Sequence, residues 1–427
     1  MRILFIHQNF PGQFLHLAPA LAARGHEVRA LTAATNRRTS RIPTAYYKVD
    51  DKRFSVTESG LATHFAEQAH RGEIVGKAAA QLLATEGYQP DVVFGHAGWG
   101  ETLYLADVWP TARRIIYAEF FYRARGLDVG FDKELQKESL RGAMWVRSRQ
   151  ASQLLSLTHA HHALSPTRWQ GSTYPGFLRS KISVIHDGIN TDLVKPDPAA
   201  TLMLPGFETP IRQGDEVLTF VARNLEPYRG FHIFMRALPR LLRERPAARV
   251  VIVGGDGISY GSAAPDGQSW KQVLLAEVGD KLDASRVHFV GNLPYAQFVA
   301  LMQITRVHAY LTYPFVLSWS LLEAMSAGAM IVASRTPPLE EVIEDGVNGR
   351  LVDFFDVDGW SQALAQALAD PARDADLRRA ARQTVVDRYD LHRLCLPQQI
   401  EFVENGPNPA WSAKDWSPSG SSGGGQE

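Results

Sequence analysis

The chain has 427 residues, 45% of them hydrophobic, with Lys+Arg and Asp+Glu numbering 45 each. Zero formal net charge gives no electrostatic footprint for nucleic acid, and the lack of a long apolar run excludes a membrane span, so the composition fits a soluble globular protein of about two domains. The single cysteine, Cys395, excludes an internal disulfide and fits a reducing, cytoplasmic compartment.

The opening MRILFIHQN carries a brief apolar run, too short for a signal peptide and read as a first core strand. From there strand-like runs alternate with amphipathic stretches, the pattern of a parallel sheet with helices on both faces, and the alternation occurs twice. The first set places strands at Ile3–Ile6, Glu27–Leu31, Val92–Phe94, Ile115–Tyr117, His162–Leu164 and Ile182–Ile185, with helices such as Phe14–Arg24 and Lys133–Leu157. The second places them at Val217–Ala222, Arg249–Val253, Val287–Val290, Val307–Leu311 and Met330–Val332. Two doubly wound α/β domains follow, at 1–195 and 216–390, joined by a proline-bearing linker at 196–215. A C-terminal helix is expected at 391–405 and a disordered tail at 406–427, whose end, SPSGSSGGGQE from Ser417, has nothing to bury.

Three segments carry chemistry. In YPFVLSWSLLEAMSAG, from Tyr313 to Gly328, Glu323 is expected in the first turn of a helix capped by Ser318 or Ser320. The backbone N–H groups of Leu317, Ser318, Trp319 and Ser320, with the positive end of the helix dipole, favour a diphosphate, and Glu323 can accept both hydroxyls of a ribose. The plainer reading is that Glu323 only complements the helix dipole. In the first strand–loop–helix unit, Gly12 lets the backbone approach a ligand, and no G-x-G-x-x-G signals a nicotinamide or flavin. The histidines of THAHHAL, from Thr158, lack the cysteine or carboxylate spacing of a metal site, so no metal is expected. Lys133, Lys137, Arg141, Trp145 and Arg149 recur every four residues and form a basic stripe if helical. A solvated face is the preferred reading of that stripe, peripheral contact with a membrane the alternative.

Eight pieces then share an order with a known family: RGHEV near Gly25, ALSPTRWQ from Ala163, SVIHDGINTDLVKP from Ser183, ARNLEPYRGF from Ala222, VVIVGGDG from Val250, RVHFVGNLP from Arg286, LLEAMSAG from Leu321 and LEEVIEDGVNGRLVD from Leu339. The chain resembles glycosyltransferase family 4 (group 1), retaining enzymes of the two-domain GT-B fold, up to about residue 405. IHQNFPGQF and LTYPFVLSWS resemble a bacterial branch of that family.

The resemblance implies two Rossmann-like domains facing across a cleft, the N-terminal one on the acceptor side, with C-terminal helices crossing back. It implies transfer of a hexose-type sugar from a nucleoside diphosphate sugar to an acceptor hydroxyl with retention and without a metal, in bacterial glycan or glycoconjugate synthesis. The acceptor would be a sugar, a lipid-linked molecule or a small molecule. Arg223 and Arg229, the latter followed by Gly230, match the family's diphosphate-binding pair, with Arg in place of Lys. His96 matches the family histidine that faces the donor sugar, and Glu101 and Glu119 are acceptor-side candidates. One position departs. The family places a first glutamate eight residues before the second, and Phe315 stands there, with Val316 and Ser318 in place of glycines. An inactive nucleotide-sugar-binding relative, or a phosphorylase or epimerase of the same fold, is the alternative function.

Overall fold

Runs such as RILFI are apolar throughout, which suits strands covered on both faces. In the computed structural model, which describes residues 1–49 and 60–413, Ile3 to Ile6 are fully buried. Alternate side chains of that strand enter different cores: Ile3 and Phe5 pack with Phe14, Phe94 and Phe402, while Leu4 and Ile6 pack with Leu31, Val75 and Trp109. The chain divides into two units, Met1–Asp187 with the chain from His392 onward, and Gly188–Leu391.

Unit 1 contains β1 (Arg2–Ile6), β2 (Glu27–Ala33), β3 (Thr44–Tyr47), β4 (Val92–His96), β5 (Arg113–Tyr117), β6 (His162–Ser165) and β7 (Ile182–Val184) in one sheet of order β3-β2-β1-β4-β5-β6-β7. All neighbours are parallel. The strand order reverses between β1 and β4. A C-terminal helix, Leu396–Asn405, belongs to this unit, with Phe402 and Val403 in its core and Glu404 Oε1 accepting from Arg24 Nε at 2.7 Å.

Unit 2 begins with β8 (Thr201–Leu202) and β9 (Ile211–Arg212), a short antiparallel pair. Its main sheet holds β10 (Val217–Asn224), β11 (Arg249–Gly255), β12 (Val287–Gly291), β13 (Val307–Tyr310), β14 (Met330–Ser334) and β15 (Arg350–Val352) in the order β12-β11-β10-β13-β14-β15, again all parallel. Here the reversal lies between β10 and β13. Both sheets are therefore doubly wound, and in such sheets ligands sit beyond the strands' carboxyl ends at the reversal.

Four expectations need correction. The segment 196–215 is no linker: Ala200, Leu202, Leu204 and Ile211 are buried in the core of unit 2, and Ser326 Oγ and Arg382 Nη1 donate to the Val194 carbonyl just before it. Its prolines mark turns in a packed segment, and the division falls at Asp187/Gly188 instead. The expected tail at 406–427 starts too early, because Trp411 and Ala413 are buried and Ser412 bridges to Ser183; residues 414–427 lie outside the described residues. Lys133–Leu157 is not one helix. It contains two, Leu140–Arg149, capped by Ser139 Oγ accepting from Gly142 N–H, and Ala151–Thr158, so Lys133 and Lys137 are not part of a five-residue helical stripe. Glu323 stands in the second turn of the helix Trp319–Ala327, not the first, because Ser318 is the cap.

Candidate active site

The loops leaving β10 and β13 part at the reversal point of unit 2, and one side chain spans them. Arg229, 7% exposed, donates from Nη1 to Thr312 Oγ1 and to the Val316 carbonyl, both at 2.8 Å. Gly230 (φ +66°) permits this contact, since a Cβ there would stand 2.3 Å from Leu311 Cβ. The carboxylate of Glu226, fully buried, accepts backbone N–H groups of Ser259, Tyr260 and Gly261 at 3.3, 3.2 and 2.9 Å and so fixes the loop after β11. Between these loops lies a cavity of about 260 Å³ lined by Arg223, Val253, Asn292, Tyr295, Ser318 and Ser320, among others. Arg223 itself is exposed.

At the helix entry, Ser318 Oγ accepts from Ser320 N–H at 3.4 Å, and Ser318 N–H donates to Tyr310 Oη at 2.8 Å. Two of the four amides expected to face a ligand are thus already bonded. Leu317 is buried and Trp319 is 40% exposed. Glu323 Oε1 accepts from Tyr295 Oη at 2.8 Å. Burial raises the Glu323 carboxyl above the usual carboxylate range, with the Tyr295 hydroxyl opposing. Phe315, 2% exposed, packs 4.8 Å from the Tyr260 ring and 5.4 Å from the Tyr228 ring, inside an aromatic cluster rather than on the cavity wall.

Unit 1 has its own reversal site. His7 follows β1 and His96 ends the adjacent β4, with ring centroids 5.7 Å apart, and Trp99 stacks on His96 at 4.3 Å. Gly12 (φ +49°) lies against His7, where a Cβ would stand 2.6 Å from the ring. Glu119 Oε1 accepts from Gln13 Nε2 at 3.2 Å, and its Oε2 stands 3.5 Å from His96 Nε2. Burial acts to raise the Glu119 carboxyl, but His96, Gln13 and His7 outweigh it and hold it below the usual range. Glu101 does not share this site. It is 1% exposed, with Oε1 accepting from Tyr47 Oη at 3.0 Å and paired with Arg71, and burial raises its carboxyl.

Sequence reading missed Glu226, Tyr295, Tyr310, His7 and Gln13. Only His7 left a signal, as a polar residue ending the first apolar run. Among the described residues no group of three or more His, Cys, Asp or Glu is arranged to hold a metal ion, and no helix is long and apolar enough to cross a membrane.

Two doubly wound parallel sheets in sequence, each carrying polar side chains at its reversal point, define a protein of the GT-B class, and solved structures agree. Sucrose-phosphate synthase from Thermosynechococcus elongatus aligns at TM-score 0.68 and 18% identity over 93% of this chain and 97% of its own. The Anabaena protein HepE, in complex with UDP and glucose, aligns at TM-score 0.59 and 16% identity over 94% of this chain and 98% of its own. Residues 24–194 match the glycosyl transferase family 4 group, and residues 207–384 match the glycosyl transferases group 1. The chain belongs to the family 4, group 1 glycosyltransferases. It is similar to D-inositol 3-phosphate glycosyltransferase of Mycobacterium avium (strain 104), 31% identical over 228 residues, which is 52% of this chain and 45% of that relative. The match to such curated relatives thus spans less than half of their length.

Proposed function

We propose that the chain is a retaining glycosyltransferase that moves a hexose-type sugar from a nucleoside diphosphate sugar to an acceptor hydroxyl, in bacterial glycan or glycoconjugate synthesis. The observation that carries this reading is the cavity at the reversal point of unit 2, where exposed Arg223, the capped start of the helix Trp319–Ala327 and Tyr295, the partner of Glu323, converge. In this reading Arg223 holds the diphosphate, and Arg229 shapes its seat by bonding Val316. Glu323 accepts from the ribose. Negative charge grows on the diphosphate as the sugar leaves, and preorganised cationic donors stabilise that charge without a metal.

In unit 1, His96 and Glu119 contact the reacting sugar and acceptor. Retention follows if the departing phosphate takes the acceptor's proton on the face from which it leaves. We place the enzyme in the cytoplasm. The helix Leu140–Arg149, with Leu140 71%, Met144 47% and Trp145 41% exposed beside Arg141, is its candidate for peripheral contact with the inner face of a membrane.

The test is a panel of UDP-, GDP- and ADP-sugars with nucleoside diphosphate release as readout, run with and without acceptors that include D-inositol 3-phosphate, the compound named for the curated relatives. Release that depends on an acceptor supports the transferase. Binding without release under every pairing would favour an inactive relative, the reading to which the buried Phe315 lends its weight because no carboxylate stands at that position.

A further inference from the structure

His7 and His96 are built alike. Each sits at the carboxyl end of one of the two strands flanking the reversal point of unit 1, and each accepts on Nδ1 the backbone N–H two residues on, from Asn9 and from Gly98, both at 2.9 Å. An Nδ1 that accepts from a backbone N–H carries no proton, so a neutral ring must carry its proton on Nε2. Both Nε2 atoms are buried and without a hydrogen-bond partner, in rings of residues that are each only 4% exposed. His96 Nε2 stands 3.5 Å from Glu119 Oε2, within ion-pair range but longer than an ordinary hydrogen bond, and Gln13, whose Oε1 is likewise buried without a well-formed bond, lies close enough to His7 to act on its titration. A buried donor left unsatisfied is costly, and two of them on rings 5.7 Å apart, set edge to face, call for an acceptor.

We propose that His7 and His96 are a matched pair of Nε2–H donors that hold one hydroxyl of a sugar or polyol against the Glu119 carboxylate, which makes His7 a second ligand-binding residue of this site. A hydroxyl oxygen accepts from the imidazoles while its own proton goes to Glu119, whereas a phosphate would meet that carboxylate as a like charge. Burial and the neighbouring His96 push His7 down to about 3, so His7 offers a neutral donor and no cation for a phosphate. The proposal rests on the glycosyltransferase reading above for the identity of its ligand.

The test uses the full chain labelled with ¹⁵N-histidine. The ring resonances report the tautomer directly, and UDP-glucose, GDP-mannose, ADP-glucose, myo-inositol, D-inositol 3-phosphate and inorganic phosphate serve as probes. Both rings are expected in the Nε2–H form, and both Nε2 signals are expected to move together with a hydroxyl-bearing probe and not with phosphate. Movement with the sugar nucleotides but not the inositols assigns the hydroxyl to the donor, and the reverse assigns it to the acceptor. His7→Asn keeps an oxygen for Asn9 N–H and removes the outer donor, so it is expected to raise KM for that substrate about tenfold with little change in kcat, while His7→Gln restores a donor and most of the affinity.

An Nδ1–H tautomer in either ring, a response of His96 alone, silence of both rings toward every probe, or an equal response to inorganic phosphate would each overturn the proposal. So would equal kinetics for His7→Asn and wild type. If wild type released no nucleoside diphosphate from any sugar donor, the transferase reading would fall, while the tautomers and the myo-inositol titration would still decide the role of His7.

Discussion

Arg229 and Val316 are 87 positions apart in sequence, and the guanidinium Nη1 of the first donates to the carbonyl of the second at 2.8 Å. This bond fastens the loop leaving β10 to the loop leaving β13. Removing it in Arg229→Ala strips a buried, charge-assisted donor from Thr312 and Val316, so we expect a stability loss of about 2–4 kcal/mol together with loss of turnover. Urea midpoints and kcat measured on one preparation check this, and full stability in the alanine variant would remove the fastening role.

Arg223, exposed at the cavity rim, should behave differently. Its replacement by Ala should leave stability within about 0.5 kcal/mol of wild type. Turnover should fall by about 10²–10³, as expected on loss of one preorganised donor to a developing anion. Wild-type kcat in a well-folded Arg223→Ala protein would mark it as an ordinary surface arginine.

For Glu323, calorimetry with nucleoside diphosphates is the direct measurement. Glu323→Ala is expected to weaken binding by ~1.5–3 kcal/mol, through loss of a charged acceptor for the ribose. Tyr295→Phe leaves the carboxylate in place but removes the hydroxyl that orients it, so a loss of about 0.5–1.5 kcal/mol is expected. Unchanged affinity in both variants would remove Glu323 from the donor site.

Phe315→Glu introduces a carboxylate among the Tyr228 and Tyr260 rings, where the native side chain is 2% exposed. The expected outcome is a cooperative loss of stability of several kcal/mol, because an unpaired charge is desolvated there. Thermal denaturation separates this outcome from a change confined to activity. A variant as stable as wild type that gained turnover would show that position 315 faces the sugar after all.

Three buried histidines, His308, His186 and His7, and the half-buried His64 make stability sensitive to mild acid. Burial holds His308 at about 3 and His186 at about 4; burial together with His96 holds His7 at about 3, and burial together with Arg149 holds His64 at about 4. Each is near 6.5 when unfolded, so below that pH the unfolded chain binds protons that the native chain refuses. Their contribution is complete above pH 6.5 and is lost as pH falls toward 4 and then 3, at up to about 1.4 kcal/mol per pH unit for each histidine. Urea midpoints at pH 7.5, 6 and 5 should therefore decline. A flat profile over that range would contradict the buried neutral state, and His308→Gln, which removes one such group from unit 2, should flatten it.

What the sequence determined by itself is the repeated α/β architecture and the residues proposed for the donor site. Short apolar runs such as Ile3–Ile6 and Val250–Val253, rich in β-branched residues, read as strands covered on both faces, and a parallel sheet requires helices between them. Arg223, Arg229, His96 and Glu323 were legible because each stands just beyond such a run or in the helix that follows one. The short strands Thr44–Tyr47 and Arg350–Val352 were not, since TAYY and RLV are too brief and too polar to stand out as apolar runs. Only tertiary structure decided that residues 196–215 pack into unit 2, because proline-rich turns and a linker have the same composition until the leucines between them are seen to be buried. The same holds for Glu101 and Phe315, whose burial depends on Tyr47, Arg71, Tyr228 and Tyr260, residues brought from distant parts of the chain. The facing of His7 and His96 was decided by strand order: β1 and β4 are neighbours because the sheet reverses there, and a linear sequence records which residues end its strands but not which strands lie side by side.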